Sequence, residues 1–232
     1  MTDVQTAEPR VEKGLGSDLS HEDLTRVHLA TDFATTVGRF QAPPVHPGHI
    51  DEDGARRAVH DLLVALGEDP DDAQLRDTPR RVAQSFAEML TPTPFSFTTF
   101  PNDGAYDQLV VARSIPMRSL CAHHLLPFIG VAHVAYLPDD RILGLSKLAR
   151  VVDHFSRGLQ IQERLTTQVG EWLDAQLAPK GVGVIIEAEH LCMTLRGVQA
   201  HGTRTVTSSL HGLVRDDART RAEFLSLATG TT

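Results

Sequence analysis

The sequence predicts an α+β protein: an antiparallel sheet with helices on one side, preceded by a helical segment. Three observations predict it. Apolar residues between positions 51 and 90 recur with a helical period. After Asp107 the period drops to two, as in strands. From Ser146 the helical period returns over two segments before two further strands begin, so the second half reads ββααββ plus a closing helix.

Residues 1–50 read as an extension. Apolar residues are scattered there without a period, and the stretch ends in QAPPVHPGH, which cannot bury enough surface to offset chain entropy. Its histidines, His21, His28, His46 and His49, are expected to be solvated. A helical segment fills 51–106. Its first helix runs from about Asp51 to Leu66, with Ala55, Val59, Leu62, Leu63 and Leu66 on one face and acidic residues at its N-terminus. A second helix starts at Asp77-Thr78-Pro79, a cap residue with proline in the first turn. TPTPFSFTTFPNDG then reads as a loop.

The main domain is expected over 107–232. LVVARSIPMRSL is a strand whose proline points to an edge or a bulge, and FIGVAHVAYLP is its partner. Leu148, Val151, Val152 and Phe155 mark one helix, ended by Arg157-Gly158. A second starts near Gln162, with Leu165, Val169, Trp172, Leu173 and Leu177 inward. VGVIIEAEHLCMTL and TRTVTSSLHGLV read as strands, and residues 217–228 as the closing helix.

Composition narrows the function. The chain has 232 residues, 41% of them hydrophobic, and a net charge of -8. That balance disfavours nucleic acid as a partner. The acidity belongs to residues 1–110, with 9 basic and 19 acidic groups, whereas 111–232 hold 13 and 11. No apolar run approaches a membrane span, and the N-terminus lacks a signal-peptide pattern, so a cytoplasmic protein is expected. Two cysteines cannot build a disulfide scaffold.

Both cysteines stand beside histidines: Cys121-Ala122-His123-His124 and His190-Leu191-Cys192. C-x-x-H is a chelating spacing, and H-x-C on a strand puts both side chains on one face. Thiolate with imidazole suits Zn²⁺, usually four-coordinate. Three protein ligands would leave an open position and four would close it; the five donors leave one or two histidines for acid–base work. The plain alternative is two buried cysteines among ordinary histidines.

A second group is basic. Residues 141–164 hold five basic and two acidic side chains. Lys147 and Arg150 share a helix face that starts at Gly144-Leu145-Ser146, a helix N-terminus suited to phosphate. Continued as a strand, 190–196 would put Arg196 in phase with His190 and Cys192. A solvated charged face is the alternative. Gln162-Glu163 is the third feature: either charge complementing a helix dipole, or a carboxylate accepting from guanine N1–H and its exocyclic amine.

In this order and spacing, Cys-x-His-His, GLSKLAR, QERLT, and HxC followed by RGV resemble the GTP cyclohydrolase I family. The likeness spans about 50–228, including the DTPRRV helix. It implies a tunnelling fold, with subunit sheets joined into a pentameric barrel and two pentamers stacked as a homodecamer. It implies conversion of GTP and water to 7,8-dihydroneopterin triphosphate and formate, the entry to pterin and folate biosynthesis. By position it implies Cys121, His124 and Cys192 as zinc ligands and His123, His190 and Ser146 as catalytic groups. Glu163 would anchor guanine with Gln162 beside it. Lys147, Arg150 and Arg196 would join Ser146 in holding ribose and triphosphate, with Arg81 contributed by a neighbouring subunit. One departure is Ala122, where the family commonly has Glu. The competing readings are a cyclohydrolase that stops at the ring-opened formamide for a deazapurine route, a purine- or pterin-binding homologue without turnover, and a closed structural zinc module. His201 and His211 are expected to be structural or interface residues.

Overall fold

The computed structural model describes residues 48–230, so most of the expected extension at 1–50 lies outside the described residues. Helix α1 spans Glu52–Ala65, and the Asp51 side chain caps it by accepting from the Gly54 N–H at 2.8 Å. Helix α2 spans Thr78–Leu90 with Pro79 in its first turn. Asp77 does not cap α2 with its side chain; its carboxylate accepts from Arg81 at 3.2 Å instead. The two helices pack on each other. The apolar stripe expected to turn inward on α1 is only partly covered: no α1 residue is buried, and Leu62 and Leu66 stay largely exposed.

Part of the expected loop that follows is a strand. β1 (Thr99–Pro101) pairs antiparallel with β4 (Arg141–Leu143), a long-range pairing that three residues of sequence do not announce. Between them, β2 (Val110–Cys121) and β3 (Pro127–Leu137) form the expected antiparallel pair. The irregularity signalled by proline is present: the β2 register shifts between Ala112 and Ile115, with Ser114 at a φ of 53°. Then come α3 (Ser146–Ser156), β5 (Leu159–Gln160), α4 (Gln162–Leu177), β6 (Gly181–His190), α5 (Leu191–Thr194), β7 (Thr205–His211), α6 (Gly212–Asp216) and α7 (Ala218–Thr229). The main sheet has the order β5-β2-β3-β6-β7, antiparallel except for the two residues of β5.

Side chains alternate across this sheet, so each face builds its own core. On one face Phe128, Val134, Val184 and Ile186 meet Leu148, Val151 and Val152 of α3 and Leu165, Val169 and Leu173 of α4; all ten are fully buried. Each such side chain stabilises by roughly 1.5–3 kcal/mol relative to exposure. The opposite face is covered as well, which corrects the expectation of helices on one side. Phe224 and Ala228 of α7 pack on Ala135, Leu137 and Ile185. Gly183 permits this approach, because a Cβ there would lie 2.7–2.9 Å from the Phe224 ring.

The strand expected through Leu195 stops at His190. Residues 191–194 turn into the short helix α5, so the strand phase of His190, Cys192 and Arg196 does not hold. Among the described residues, no helix is long and apolar enough to cross a membrane.

Candidate metal centre and nucleotide site

The sheet topology brings the chemistry to one end of the sheet. β2 and β6 flank β3 and both finish where β3 starts: Leu120 pairs with Pro127, and His190 with Phe128. β5 runs beside the end of β2, with Gln160 opposite Cys121, so α4 starts there too. Cys121, His190, Gln162 and Glu163 therefore all lie at this end, although almost 70 residues separate the first and second Cys/His clusters.

Cys121 is the last residue of β2 and is buried. The chain then turns tightly. The Leu125 N–H donates to the Cys121 carbonyl at 2.9 Å, and the Cys121 N–H donates to Leu126 at 2.9 Å. Leu125 takes the left-handed φ of 57°, a strained conformation for a leucine. The turn returns both histidines to the thiol: Nδ1 of His124 lies 3.6 Å from Cys121 Sγ, and Nδ1 of His123 lies 3.8 Å away. One donor atom from each of the three residues falls within 4.8 Å of the others, close enough to meet on one ion. Ala122 contributes no donor; its N–H donates to the Gln160 carbonyl at 2.9 Å.

Cys192 reaches this group from α5 rather than from a strand. It is a buried free thiol that interacts with Cys121. Burial pushes the Cys192 thiol up, Cys121 pushes it further, and Arg196 works in the opposite direction. A buried thiol raised by a second thiol beside it fits a divalent cation, whose charge favours the thiolate form of its sulfur ligands. The donor chemistry suits the expected set of Cys121, His124 and Cys192, although the donor atoms that lie within 4.8 Å of one another are those of Cys121, His123 and His124. Arg196 is exposed beyond α5 but near enough to Cys192 to act on it electrostatically.

His190 is held on two sides. Its ring stacks on Phe128, centroids 4.7 Å apart and planes 4° from parallel. Its Nε2 lies 2.7 Å from Gln162 Oε1. Burial lowers its pKa, and the nearby Glu163 carboxylate acts the other way. Glu163 is exposed in the first turn of α4, whereas Gln162 is buried. Nothing in the sequence marks Phe128 as a site residue; it reads there as one apolar position of a strand. Only the β3–β6 register puts it opposite His190.

The basic group is arranged as its helical spacing predicts. Ser146, Lys147 and Arg150 occupy the first turns of α3, with Ser146 and Arg150 exposed and Lys147 half-buried. α3 packs against β2, the strand that ends in Cys121. Arg81 sits on α2, exposed and ion-paired with Asp77. His211 bonds Ser209 at 3.0 Å, and His201 is exposed in a turn.

A thiol–imidazole cluster fit for a cation, beside a positioned histidine and a free carboxylate, defines a metal-using enzyme built on an α+β sheet. Comparison with known proteins agrees. The family model for GTP cyclohydrolase I matches residues 55–229, and the chain belongs to that family. It is 48% identical to GTP cyclohydrolase 1 of Aquifex aeolicus over 181 residues, 78% of this chain and 98% of that protein. It is 46% identical to GTP cyclohydrolase 1 of Thermobifida fusca over 205 residues, 86% of this chain and 99% of that one. Identity to GTP cyclohydrolase 1 of Deinococcus radiodurans is 50% over 177 residues, 75% and 82% of the two chains.

Proposed function

We propose that this protein converts GTP and water to 7,8-dihydroneopterin triphosphate and formate with the help of zinc, as the first step of pterin and folate synthesis. The observation that carries the reading is the meeting of Cys121, His123 and His124, with Cys192 against Cys121 and the His190–Gln162–Glu163 group at the same end of the sheet. Cys121, His124 and Cys192 would hold the metal. When bound, zinc supplies the Lewis acidity that makes water nucleophilic near neutral pH.

The remaining roles belong to the chain. The Glu163 carboxylate, exposed and acceptor-only, takes the N1–H and exocyclic amine of guanine. His123 serves proton transfer at the purine as its imidazole ring opens. His190, whose pKa burial lowers, serves the later rearrangement of the ribose with Ser146. Lys147, Arg150 and Arg196 neutralise the triphosphate, with Arg81 arriving from a neighbouring subunit. The catalytic portion is 107–232, with 51–106 as its helical partner segment.

The same reading includes assembly of sheets into a pentameric barrel and a decamer of two such rings. What supports it is the open sheet: β7 and residues 110–118 of β2 form edges without a further strand among the described residues. The reading places the protein in the cytoplasm, where Cys121 and Cys192 remain thiols.

The test is to measure bound metal in the purified protein and to identify by mass what it makes from GTP. Formate and dihydroneopterin triphosphate in equal amounts are expected. Bound zinc with neither product would sink the reading; formate with an accumulated ring-opened formamide would move the protein to the shorter reaction.

A further inference from the structure

We propose that Gln162 is a positioning residue for His190 rather than a substrate contact: its side-chain oxygen holds the imidazole as the Nε2–H tautomer and leaves Nδ1 as the proton-accepting atom. This deepens the acid–base role given to His190 above and rests on it.

The amide of Gln162 cannot be turned around. Its Nε2 lies 3.1 Å from the Ile186 carbonyl, 2.9 Å from the Thr205 carbonyl and 3.1 Å from Thr207 Oγ1. Carbonyl oxygens only accept, so this end of the amide must be the donating NH₂. The flipped amide would set its oxygen against two carbonyl oxygens in a site where Gln162 is 1% exposed. The hydroxyl partner agrees with this direction. Thr166 Oγ1 donates to the Gln162 backbone carbonyl at 2.8 Å, so its contact of 2.6 Å with Thr207 Oγ1 is made by the Thr207 proton. That leaves Thr207 Oγ1 to accept from Gln162.

The other end follows. Gln162 Oε1 is an acceptor, and it stands 2.7 Å from His190 Nε2. The imidazole must therefore carry a proton on Nε2, and a neutral ring then has its lone pair on Nδ1. Stacking on Phe128 keeps the ring plane fixed while this bond fixes its rotation. A base is set in this way by the hydrogen bond its other nitrogen makes. In the reaction proposed above, His190 would take a substrate proton at Nδ1 and return it from there, while its Nε2 proton stays on the ring and bonded to Gln162 Oε1. Every polar atom of the Gln162 side chain is used within the protein, so guanine recognition falls to Glu163.

Neutron diffraction from crystals of the deuterated, metal-loaded protein at neutral pH reads the tautomer directly. Deuterium on His190 Nε2 with a bare Nδ1 is expected. Deuterium on Nδ1 with a bare Nε2 overturns the proposal. Kinetics add a second readout. Gln162→Leu is expected to lower kcat for GTP by about 10²-fold, the usual weight of an acid–base group, with KM within about threefold. A KM raised tenfold or more with kcat retained would mean that Gln162 reads substrate, and would also overturn it. Wild-type protein inactive toward GTP counts against the function proposed above, whereas the tautomer is read without turnover.

Discussion

Phe128 and His190 face each other across the β3–β6 pair, their rings parallel within 4° at 4.7 Å. One residue is core and the other is site, so a packing change should register as a chemical one. Phe128→Leu keeps an apolar side chain but removes the flat surface. It should lower stability by about 1–2 kcal/mol and lower kcat for GTP more than it raises KM. Thermal melting and steady-state kinetics of the same preparation check both. An unchanged kcat would show that the stack packs the core without orienting His190.

The turn after β2 presents two histidines to one thiol, at 3.6 and 3.8 Å, so distance alone does not choose between them. The proposed ligand set chooses His124. His124→Ala and Cys192→Ser should lose the metal on dialysis, a larger effect than the roughly 10–100-fold loss of affinity typical of an outer-shell change. His123→Ala should keep the metal and lose turnover. Metal content after dialysis decides it: loss from His123→Ala equal to that from His124→Ala would make Cys121, His123 and His124 the binding set.

Gly183 tests the second layer of helices. An alanine Cβ there would press on the buried Phe224 ring at 2.7–2.9 Å, and a fully buried ring has nowhere to go. Gly183→Ala should therefore destabilise by about 1–3 kcal/mol, although glycine is a poor strand residue. The double change Gly183→Ala with Phe224→Leu should recover part of the loss. Full stability of the single variant would mean that α7 does not seat on β6 as described.

Acid should weaken the fold partly through His133. Burial, and then the Arg113 guanidinium, lower its pKa below 6.5, with Glu187 partly opposing them. A neutral His133 is thus favoured by the fold. Its contribution is present above the unfolded value of 6.5 and is lost as pH falls through the lowered folded value. Melting temperatures from about pH 8 down to about pH 5 should fall less steeply for His133→Asn than for wild type. Parallel curves would remove His133 from the acid response.

Much of this protein is legible in its spacing. Helices α3 and α4 are read from apolar positions three and four apart, since that period is a local property of the helix. The β2–β3 pair follows from alternation on either side of a close turn, and β6 and β7 also alternate, although α5 and a longer connection separate them. Cys-x-x-His also predicts its own geometry, because a single turn is enough to bring those atoms together.

What spacing could not carry is every relationship between distant strands. Residues 190–196 look like one continuous strand, yet the chain coils at Leu191, and Cys192 reaches Cys121 from a helical turn. Gln162 reads as half of a polar pair at a helix start. Its burial among Ile186, Thr205 and Thr207 depends on β6 and β7 passing beneath α4. β1 is too short to show a period, and α7 carries an apolar stripe that does not say which face of the sheet it will cover. By itself, then, the sequence determined the longer helices and strands, their order and the donors available for a metal, because those depend on neighbours a few residues apart. Only the tertiary structure decided which donors meet and which face of the sheet each helix covers. It also decided which nitrogen of His190 is engaged, because register and packing join residues through the core rather than along the chain.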